Sequence, residues 1–324
     1  MAFLTPLLLA EAQALGRAFG VDVAEVEALA LGSVNSNFRL RDSAGRVYFA
    51  RVYEEQALTG AITEIRLLAT LAECGVPVVK PLSSSDSRGV AVFGGKPFAI
   101  FPWVAGDWLC LRSVAPAHCR AVGAALAAVH LASARVERLP EGRFQPSDML
   151  ARLDRVEVEA PARLMPYVAQ IRDKYAEYLP RRTPTPLGVC HGDLFRDNVL
   201  WQGERIAALL DFESAYHGSF VYDLMVTALA WCFTDELVPE RIAAMFEGYR
   251  SVRPLTLEEQ SALEVEGALA CLRFATTRIT DFELRARDGE APGRDFRRFL
   301  TRLAVIEAGA LDAVGDGLRD RGRA

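Results

Sequence analysis

The pattern of hydrophobic and polar positions changes several times in the first quarter of the chain. Residues 5–30 place apolar and polar residues at helical spacing, which predicts one or two short helices. Strand-like runs follow at Phe38–Arg41 and Arg46–Tyr53, and the turn residues between them predict a β-hairpin. Helical spacing returns at Leu58–Cys74, and Gly75 predicts the end of that helix.

After this helix the chain is first rich in strand patterns and then in helical ones. Val76–Leu82 is a β-rich run, and Val90–Phe93 is predicted to pair with Pro97–Val104 across a glycine turn. The later segments with helical spacing are 116–134, 150–180, 219–250, 255–288 and 294–313. Residues 187–213 differ from them, because two short apolar runs flank a polar loop there.

These patterns predict an α+β fold with two lobes. Residues 1–103 form a β-rich N-terminal lobe, an antiparallel sheet with one inserted helix. Residues 104–324 form a larger, mainly helical C-terminal lobe, and the hinge is expected at about 101–107. A chain of 324 residues commonly divides in this way, because a single hydrophobic core stops growing near this size.

Composition excludes several classes of protein. With 51% hydrophobic and 24% charged residues, the chain has the composition of a soluble globular protein. Its 37 basic and 42 acidic residues give a net charge of −5 without a basic run, so we expect no nucleic-acid partner. The six cysteines lack metal-binding spacing, and no signal peptide or membrane-length apolar stretch is recognised. We therefore expect a cytoplasmic protein with reduced thiols and no membrane association.

The residues with the clearest chemical role lie between 191 and 213. Transfer of a phosphoryl group from ATP needs one carboxylate to orient the attacking hydroxyl, and further oxygen ligands to hold Mg²⁺. Asp193 and Asn198 stand five apart on a loop after an apolar strand, and Asp211 follows a second apolar strand. A hairpin of this length would bring all three groups to one end of two neighbouring strands. Turn residues at strand ends would look similar, but the complete pattern favours a catalytic site.

This pattern resembles a known family. His191-Gly192-Asp193, with Asn198 and then Asp211-Phe212, resembles the aminoglycoside phosphotransferase/choline kinase group of protein-kinase-like enzymes, in which H-G-D replaces the protein-kinase H-R-D. Within that group, longer strings resemble the bacterial homoserine kinases of this fold. These strings lie at 117–132, 193–199, 222–233 and 248–255. The resemblance implies a bilobal, protein-kinase-like fold.

The resemblance also implies roles for the loop residues. Asp193 would be the catalytic base, and Asn198 and Asp211 would be the Mg²⁺ ligands. His191 would be structural, and Asp223 would brace the catalytic loop. The cofactors implied are ATP, held by the N-terminal lobe, and Mg²⁺.

The N-terminal lobe is expected to supply the ATP contacts. The phosphate-covering loop of the family falls on a segment of small polar residues that includes Gly32, Ser33, Asn35, Ser36 and Asn37. In the second strand of the hairpin, Phe49 and Arg51 share one face by the period of two. A charge on an apolar face needs a partner, and Glu64 in the following helix is the expected one. Phe101 and Trp103 would be hinge residues that bind adenine through their backbone groups.

Homoserine is a zwitterion, so an acceptor pocket for it needs a cation for the carboxylate and an anion for the ammonium group. The candidate acceptor residues are Glu213, Arg273, Arg278 and Asp281. The sequence predicts a small-molecule kinase that acts on a hydroxyl of an amino-acid-like acceptor, with L-homoserine favoured. We expect a monomer or homodimer whose partners are ATP and this acceptor.

Two other interpretations stay open. The acceptor could be another hydroxylated amine, such as an aminoglycoside or related antibiotic, choline or ethanolamine. The mixed charges of residues 278–290 do not favour a polycation such as an aminoglycoside. A non-catalytic nucleotide-binding protein of the same fold would be expected to lose the base or the metal ligands, whereas Asp193, Asn198 and Asp211 are all present.

Overall fold

The structure is a computed structural model, and it describes residues 5–30, 34–159, 161–234, 236–284 and 294–311. The chain forms two compact units. The first unit consists of Met1–Trp108, Ala134–Leu139 and Asn198–Glu213. The second unit consists of Leu109–Ser133, Pro140–Asp197 and Ser214–Ala324. The predicted lobe boundary at 103 stays a prediction.

An antiparallel five-stranded sheet with the strand order β1-β2-β3-β5-β4 forms the centre of the first unit. Its strands are β1 (Val23–Leu29), β2 (Ser36–Asp42), β3 (Val47–Val52), β4 (Ala91–Phe93) and β5 (Lys96–Pro102). The predicted β2–β3 hairpin is present, and Asp42 holds its turn because a carboxylate oxygen accepts from the backbone N–H groups of Ala44 and Arg46 at 3.0 and 2.8 Å. The predicted β4–β5 pairing is present too.

Two sequence predictions in this unit are wrong. Residues 23–29 form an edge strand and not a helix, because Glu25 and Glu27 pair across to Arg41 and Arg39 of β2, at 3.1 and 3.5 Å. Residues 76–82 are extended, but they form only an isolated bridge between Val78 and Leu209. Both patterns were ambiguous, because sheet pairing depends on residues far away in the sequence.

Two helices and a hairpin complete the first unit. The helices are α1 (Leu9–Ala18) and α2 (Leu58–Glu73), and the hairpin consists of β7 (Val199–Gln202) and β8 (Arg205–Leu209). The hydrophobic core between α1 and the sheet includes Phe38, Leu40, Val52, Phe98 and Ile100. Burial of these apolar side chains is the main force that holds the sheet and its helix together.

The second unit is mainly helical. Its helices are α3 (Pro116–Ala132), α4 (Pro146–Glu159), α5 (Met165–Tyr178), α6 (Phe220–Trp231), α7 (Pro239–Val252), α8 (Leu257–Arg278) and α9 (Arg297–Glu307), and its strands are β6 (Leu187–Cys190) and β9 (Tyr216–Ser219). Nearly every residue of α6 is buried, which makes this helix the centre of the unit. A short π-helical segment, Ile279–Glu283, continues α8.

Helices α3 and α7 cross with their backbones in close contact. A Cβ atom on Gly248 would lie 1.9 Å from the carbonyl oxygen of Arg120, and one on Gly123 would lie 2.1 Å from that of Met245. No side chain larger than hydrogen fits at either position without separating the helices. The glycine pair therefore sets the distance between α3 and α7.

In the part of the chain that the structure describes, no helix combines the length and the apolar character needed to span a bilayer.

Candidate active site

The loop that carries Asp193 begins where β6 ends, and hydrogen bonds to Asp223 fix its backbone. Asp223 is fully buried in the first turn of α6, and its carboxylate accepts from the backbone N–H groups of His191 and Gly192 at 2.7 and 2.8 Å. Gly192 has a φ of +76°, which other residues rarely adopt. Asp223 thus lies where the sequence analysis expects a brace for the loop.

Asp223 also contacts a histidine that the sequence analysis missed. His130 of α3 places Nε2 3.1 Å from an Asp223 carboxylate oxygen and Nδ1 2.7 Å from the Tyr249 hydroxyl. Burial lowers the pKa of His130, although Asp223 opposes this effect. Burial by itself would raise the pKa of Asp223, but the hydrogen bond from His130, the nearby histidines and the Gly192 N–H together outweigh it, so the pKa is lowered.

The groups of His130, Cys190 and Asp223 that could bind a metal ion lie within 4.8 Å of one another. Both ring nitrogens of His130 and both carboxylate oxygens of Asp223 already have hydrogen-bond partners in the protein. We therefore interpret this cluster as a structural hydrogen-bond network and not as a metal centre.

Asp193 lies beside a buried arginine. Nη1 of Arg273 is 3.2 Å from the carbonyl oxygen of Gly192 and 4.0 Å from a carboxylate oxygen of Asp193. The guanidinium carbon lies 4.1 Å from the ring centre of Phe144 and 3.9 Å from that of Phe274. Stacking on aromatic rings orients a guanidinium and leaves its edge for hydrogen bonding. Arg273, a candidate acceptor residue, is therefore part of the immediate surroundings of Asp193.

Two further acceptor candidates, Arg278 at the end of α8 and Asp281 in the π-helical segment, have different environments. Asp281 forms an ion pair with Arg152 at 2.9 Å. Arg278 donates to the backbone carbonyl of Asp295 at 2.9 Å and lies over the ring of Phe299 at 4.3 Å. Burial and neighbouring arginines lower the pKa of Arg278 to about 10. Within the described ranges, no carboxylate lies within ion-pair distance of Arg278.

A second cation that the sequence analysis missed lies on the same ring. The guanidinium carbon of Arg302 is 4.8 Å from the ring centre of Phe299, and its side chain is buried. Its Nε atom has no hydrogen-bond partner. Burial, together with other arginines, lowers the pKa of Arg302 to about 10. Two arginines therefore share one aromatic ring, and among the described residues no carboxylate forms an ion pair with either.

In the first unit, the two candidate metal ligands lie at the ends of the β7–β8 hairpin. Asn198 directly precedes β7, Asp211 follows β8 by two residues, and the N–H of Leu210 donates to the carbonyl of Asn198 at 2.9 Å. Asp211 is exposed and has a φ of +62°, an uncommon conformation that often occurs at functional sites. The expectation that the strand before Asp193 neighbours the strand before Asp211 is wrong, because β6 pairs with β9 while β8 pairs with β7.

Arg51 pairs with Glu213 and not with Glu64 as the sequence analysis expected. Its Nη1 atom is 2.7 Å from a Glu213 carboxylate oxygen, and its Nε atom donates to the side chain of Asn37 at 3.1 Å. Asn35 also donates to Glu213. The correction has a simple cause, since Glu213 lies 162 residues further along the chain and no local pattern links it to β3. Glu213, a candidate acceptor residue, therefore lies beside Arg51.

Glu64 nevertheless belongs to the same group of charges. Burial raises its pKa to about 8, and the charges of Glu213 and Asp211 also raise it, while Arg51 opposes the shift. One oxygen of this buried carboxyl group has no hydrogen-bond partner. Three carboxyl groups thus surround one guanidinium. This excess of acid groups suits a cation, because carboxylate and amide oxygens are the ligands that Mg²⁺ prefers.

The remaining predicted ATP residues have varied positions. Gly32 and Ser33 lie outside the described residues. The Ser36 hydroxyl donates to Glu54, which also binds Lys96. The ring centres of Phe49 and Phe101 lie 6.0 Å apart. Trp103 is exposed, and its backbone N–H donates to a backbone carbonyl of β3 at 3.3 Å.

Comparison with known proteins gives the family. A model of the phosphotransferase enzyme family matches residues 25–255. The homoserine kinase of Sinorhizobium fredii is 32% identical over 301 residues, which cover 90% of this chain and 89% of that protein. The homoserine kinase of Mesorhizobium japonicum is 32% identical over 297 residues, which cover 89% of this chain and 90% of that protein.

The structure is also similar to solved kinases. An amicoumacin kinase in complex with AMP-PNP and Ca²⁺ aligns with a TM-score of 0.68 at 17% identity, covering 96% of this chain and 93% of that chain. This confirms the predicted α+β, protein-kinase-like fold. Because the family model matches more than half of the chain, membership no longer rests on a short motif. The chain belongs to the phosphotransferase enzyme family.

Proposed function

We propose that the protein is an ATP-dependent kinase that phosphorylates the side-chain hydroxyl of L-homoserine. The observation that carries this proposal is a carboxylate, Asp193, on a loop held by buried hydrogen bonds, with the Arg273 guanidinium 4.0 Å away. The curated relatives that are 32% identical over about nine tenths of the chain are named homoserine kinases, which supports this choice of acceptor.

Asp193 would accept a hydrogen bond from the acceptor hydroxyl and receive its proton during transfer. Its position fits this role, because the side chain is 37% exposed while the loop beneath it is fixed. A general base must be accessible to substrate and held in a defined orientation.

The first unit would bind MgATP. Asn198 and Asp211 supply the oxygen ligands, and the excess of carboxyl groups around Arg51 is the feature that fits a divalent cation. When bound, Mg²⁺ would neutralise the negative charge of the phosphate oxygens. Arg51 would contact the phosphates, since its guanidinium is permanently charged and can form paired hydrogen bonds to their oxygens.

The acceptor carboxylate would bind Arg278. Arg273 is less suited to this task, because its Nη1 atom already donates to Gly192. Arg278 has a hydrogen bond to a backbone carbonyl and, among the described residues, no ion-pair partner, so an incoming carboxylate would remove the cost of a half-buried, unpaired charge.

The proposal is tested by measuring phosphorylation of L-homoserine, choline, ethanolamine and an aminoglycoside with MgATP. A further substrate, 2-aminobutane-1,4-diol, keeps the amine and the hydroxyl of homoserine but lacks its carboxylate. We expect kcat/KM to fall by at least tens of fold for this analogue, because an unpaired, desolvated cation costs on the order of 2–5 kcal/mol. Any competitor that matches homoserine would contradict the proposal and identify the acceptor class instead.

The carboxylate site is tested in the same assay. The Arg278→Met variant should lose most of the preference for homoserine over the analogue. Arg297→Met is the matched control, because Arg297 is exposed and has an ion pair with Asp295 at 3.2 Å. Unchanged preference in Arg278→Met would assign the carboxylate to another residue.

A further inference from the structure

A continuous set of buried polar side chains connects the start of α8 to the catalytic loop. We call it the buried chain, and its members in order are Glu259, Arg253, Tyr249, His130 and Asp223. The successive distances are 3.0 Å from Glu259 to Arg253, 3.0 Å from Arg253 to the Tyr249 hydroxyl, 2.7 Å from there to His130, and 3.1 Å from His130 to Asp223. Asp223 is the member that hydrogen-bonds to the loop backbone, at His191 and Gly192.

The donors and acceptors of the buried chain are consistent in one direction only. A guanidinium can only donate, so Arg253 donates to the Tyr249 oxygen, and the Tyr249 O–H is left to donate to Nδ1 of His130. Nδ1 must then be unprotonated, and Nε2 carries the hydrogen that is donated to Asp223. A protonated His130 would direct an N–H toward a hydroxyl that already accepts from Arg253.

Burial makes this arrangement strict. Every member is at least nine-tenths buried, and Phe220 covers two of them, stacking on His130 at 4.5 Å and lying under the Arg253 guanidinium at 4.6 Å. Water is therefore excluded as a replacement partner, and each broken hydrogen bond would leave a buried polar group unsatisfied. The other titratable groups at this place are Cys190 and His191, which lie next to Asp223.

Gly192 is held at both of its peptide bonds, the one to His191 through its N–H and the one to Asp193 through its carbonyl. Asp223, the end of the buried chain, accepts from the Gly192 N–H at 2.8 Å, while Arg273 donates to the Gly192 carbonyl at 3.2 Å. This carbonyl belongs to the peptide bond that leads directly into Asp193. A rotation of this peptide would therefore swing the Asp193 side chain.

We propose that the buried chain positions the catalytic base by fixing the backbone N–H groups of His191 and Gly192, and with them the start of the loop that leads into Asp193. Tyr249, Arg253 and Glu259 are positioning residues in this arrangement, since they act on Asp193 only through His130 and Asp223. The inference rests on the proposed role of Asp193 as the base. It extends that role to helices α3, α7 and α8, none of which contributes a reacting group.

Tyr249→Phe is the sharpest test, because it removes one hydroxyl and keeps the ring. We expect kcat to fall by about tenfold, since misplacement of a base by a fraction of an ångström is costly, with KM for ATP and for homoserine within about twofold of the wild type. The matched control is Tyr178→Phe, another buried tyrosine, whose hydroxyl donates to Glu307 at 3.2 Å away from the loop. This control should keep the wild-type kcat.

Thermal unfolding of both variants separates positioning from folding. Assays are run well below both melting temperatures, so that a loss of stability alone leaves kcat unchanged. If Tyr249→Phe keeps the wild-type kcat, the buried chain is structural only and the inference is wrong. A similar loss of kcat in Tyr178→Phe would also overturn it, because the effect would then not depend on the chain.

A second measurement does not depend on turnover. The protein has four histidines, so the imidazole nitrogen signals of His130 can be assigned by NMR from their loss in His130→Gln. We expect the neutral form with hydrogen on Nε2 at neutral pH in the wild type, and a change of these nitrogen shifts in Tyr249→Phe. Hydrogen on Nδ1 would contradict the inferred direction of hydrogen-bond donation, from Tyr249 to His130 to Asp223. If the wild type does not phosphorylate homoserine, the proposed function is refuted. The NMR spectrum would still show whether the hydrogen bonds of the buried chain run in the inferred direction.

Discussion

The surroundings of Arg51 in the first unit and those of Asp223 in the second differ in how well their charged groups are matched by partners within the protein. Around Arg51, three carboxyl groups share one guanidinium, and Glu64 keeps an oxygen without a hydrogen-bond partner. Around Asp223, both carboxylate oxygens and both ring nitrogens of His130 are matched to partners within the protein.

On the proposed function, this difference separates a region that would bind a ligand from one whose partners are all within the protein. Mg²⁺ bound with the nucleotide would offset the carboxylates of the first region and so stabilise it. A satisfied network gains nothing from a ligand, but it keeps a catalytic group in place without reorganisation. We expect substitutions in the two regions to affect binding and turnover, respectively.

The largest expected effect comes from the second region. Asp193→Asn removes the proposed base and should leave the fold and the first unit intact, so kcat should fall by about a thousandfold while the dissociation constant for ATP stays within about twofold. Turnover assays and calorimetric titration with MgATP measure the two quantities. Asp173→Asn, an exposed change on α5, serves as the control. Near-normal turnover in Asp193→Asn would show that another group is the base.

The first region should give the opposite result. Asp211→Ala removes an exposed carboxylate at the end of the β7–β8 hairpin, and we expect the affinity for ATP in the presence of Mg²⁺ to fall by at least about tenfold. Titration with Mg²⁺ and with a chelator isolates the metal-dependent part. Glu204→Ala changes an exposed residue of the same hairpin turn and should have no effect. Equal affinities in Asp211→Ala and the wild type would remove Asp211 from the metal site.

The third expected effect is on stability and not on activity, and it depends on pH. The pKa of Glu64 is raised to about 8 from an ordinary value of 4.5, so between these pH values the folded state keeps a proton that the unfolded state loses. The contribution of Glu64 to stability is therefore largest below pH 4.5 and decreases as the pH rises to about 8, by on the order of 4 kcal/mol. Glu64→Gln should raise Tm at pH 8.5 relative to the wild type, and much less at pH 5.

The control for this prediction lies on the same helix. Glu73 is 53% exposed and pairs with Lys80, so Glu73→Gln should change Tm similarly at both pH values. If Glu64→Gln showed no dependence on pH, the carboxyl group of Glu64 would be ionised in the folded protein throughout this range.

The sequence predicts local features of this protein well and distant pairings poorly. The β2–β3 hairpin follows from its turn residues, and the loop with Asp193 follows from a motif within a few residues. By contrast, the partner of Arg51 comes from Glu213, 162 residues away. His130 and Tyr249 meet across 119 residues, and neither has a local pattern that indicates a partner. Such contacts depend on the packing of whole elements, which periodicity does not specify.

The close crossing of α3 and α7 limits how the sequence can change over time. His130 lies on α3, and Tyr249 directly follows Gly248 on α7, so the backbone distance between the helices also sets the reach of the Tyr249 hydroxyl. An alanine at Gly123 or Gly248 would push the two helices apart and lengthen the hydrogen bond from Tyr249 to His130. Two positions without a side chain therefore set the geometry of the buried chain, and we expect them to tolerate substitution less well than the outward faces of both helices.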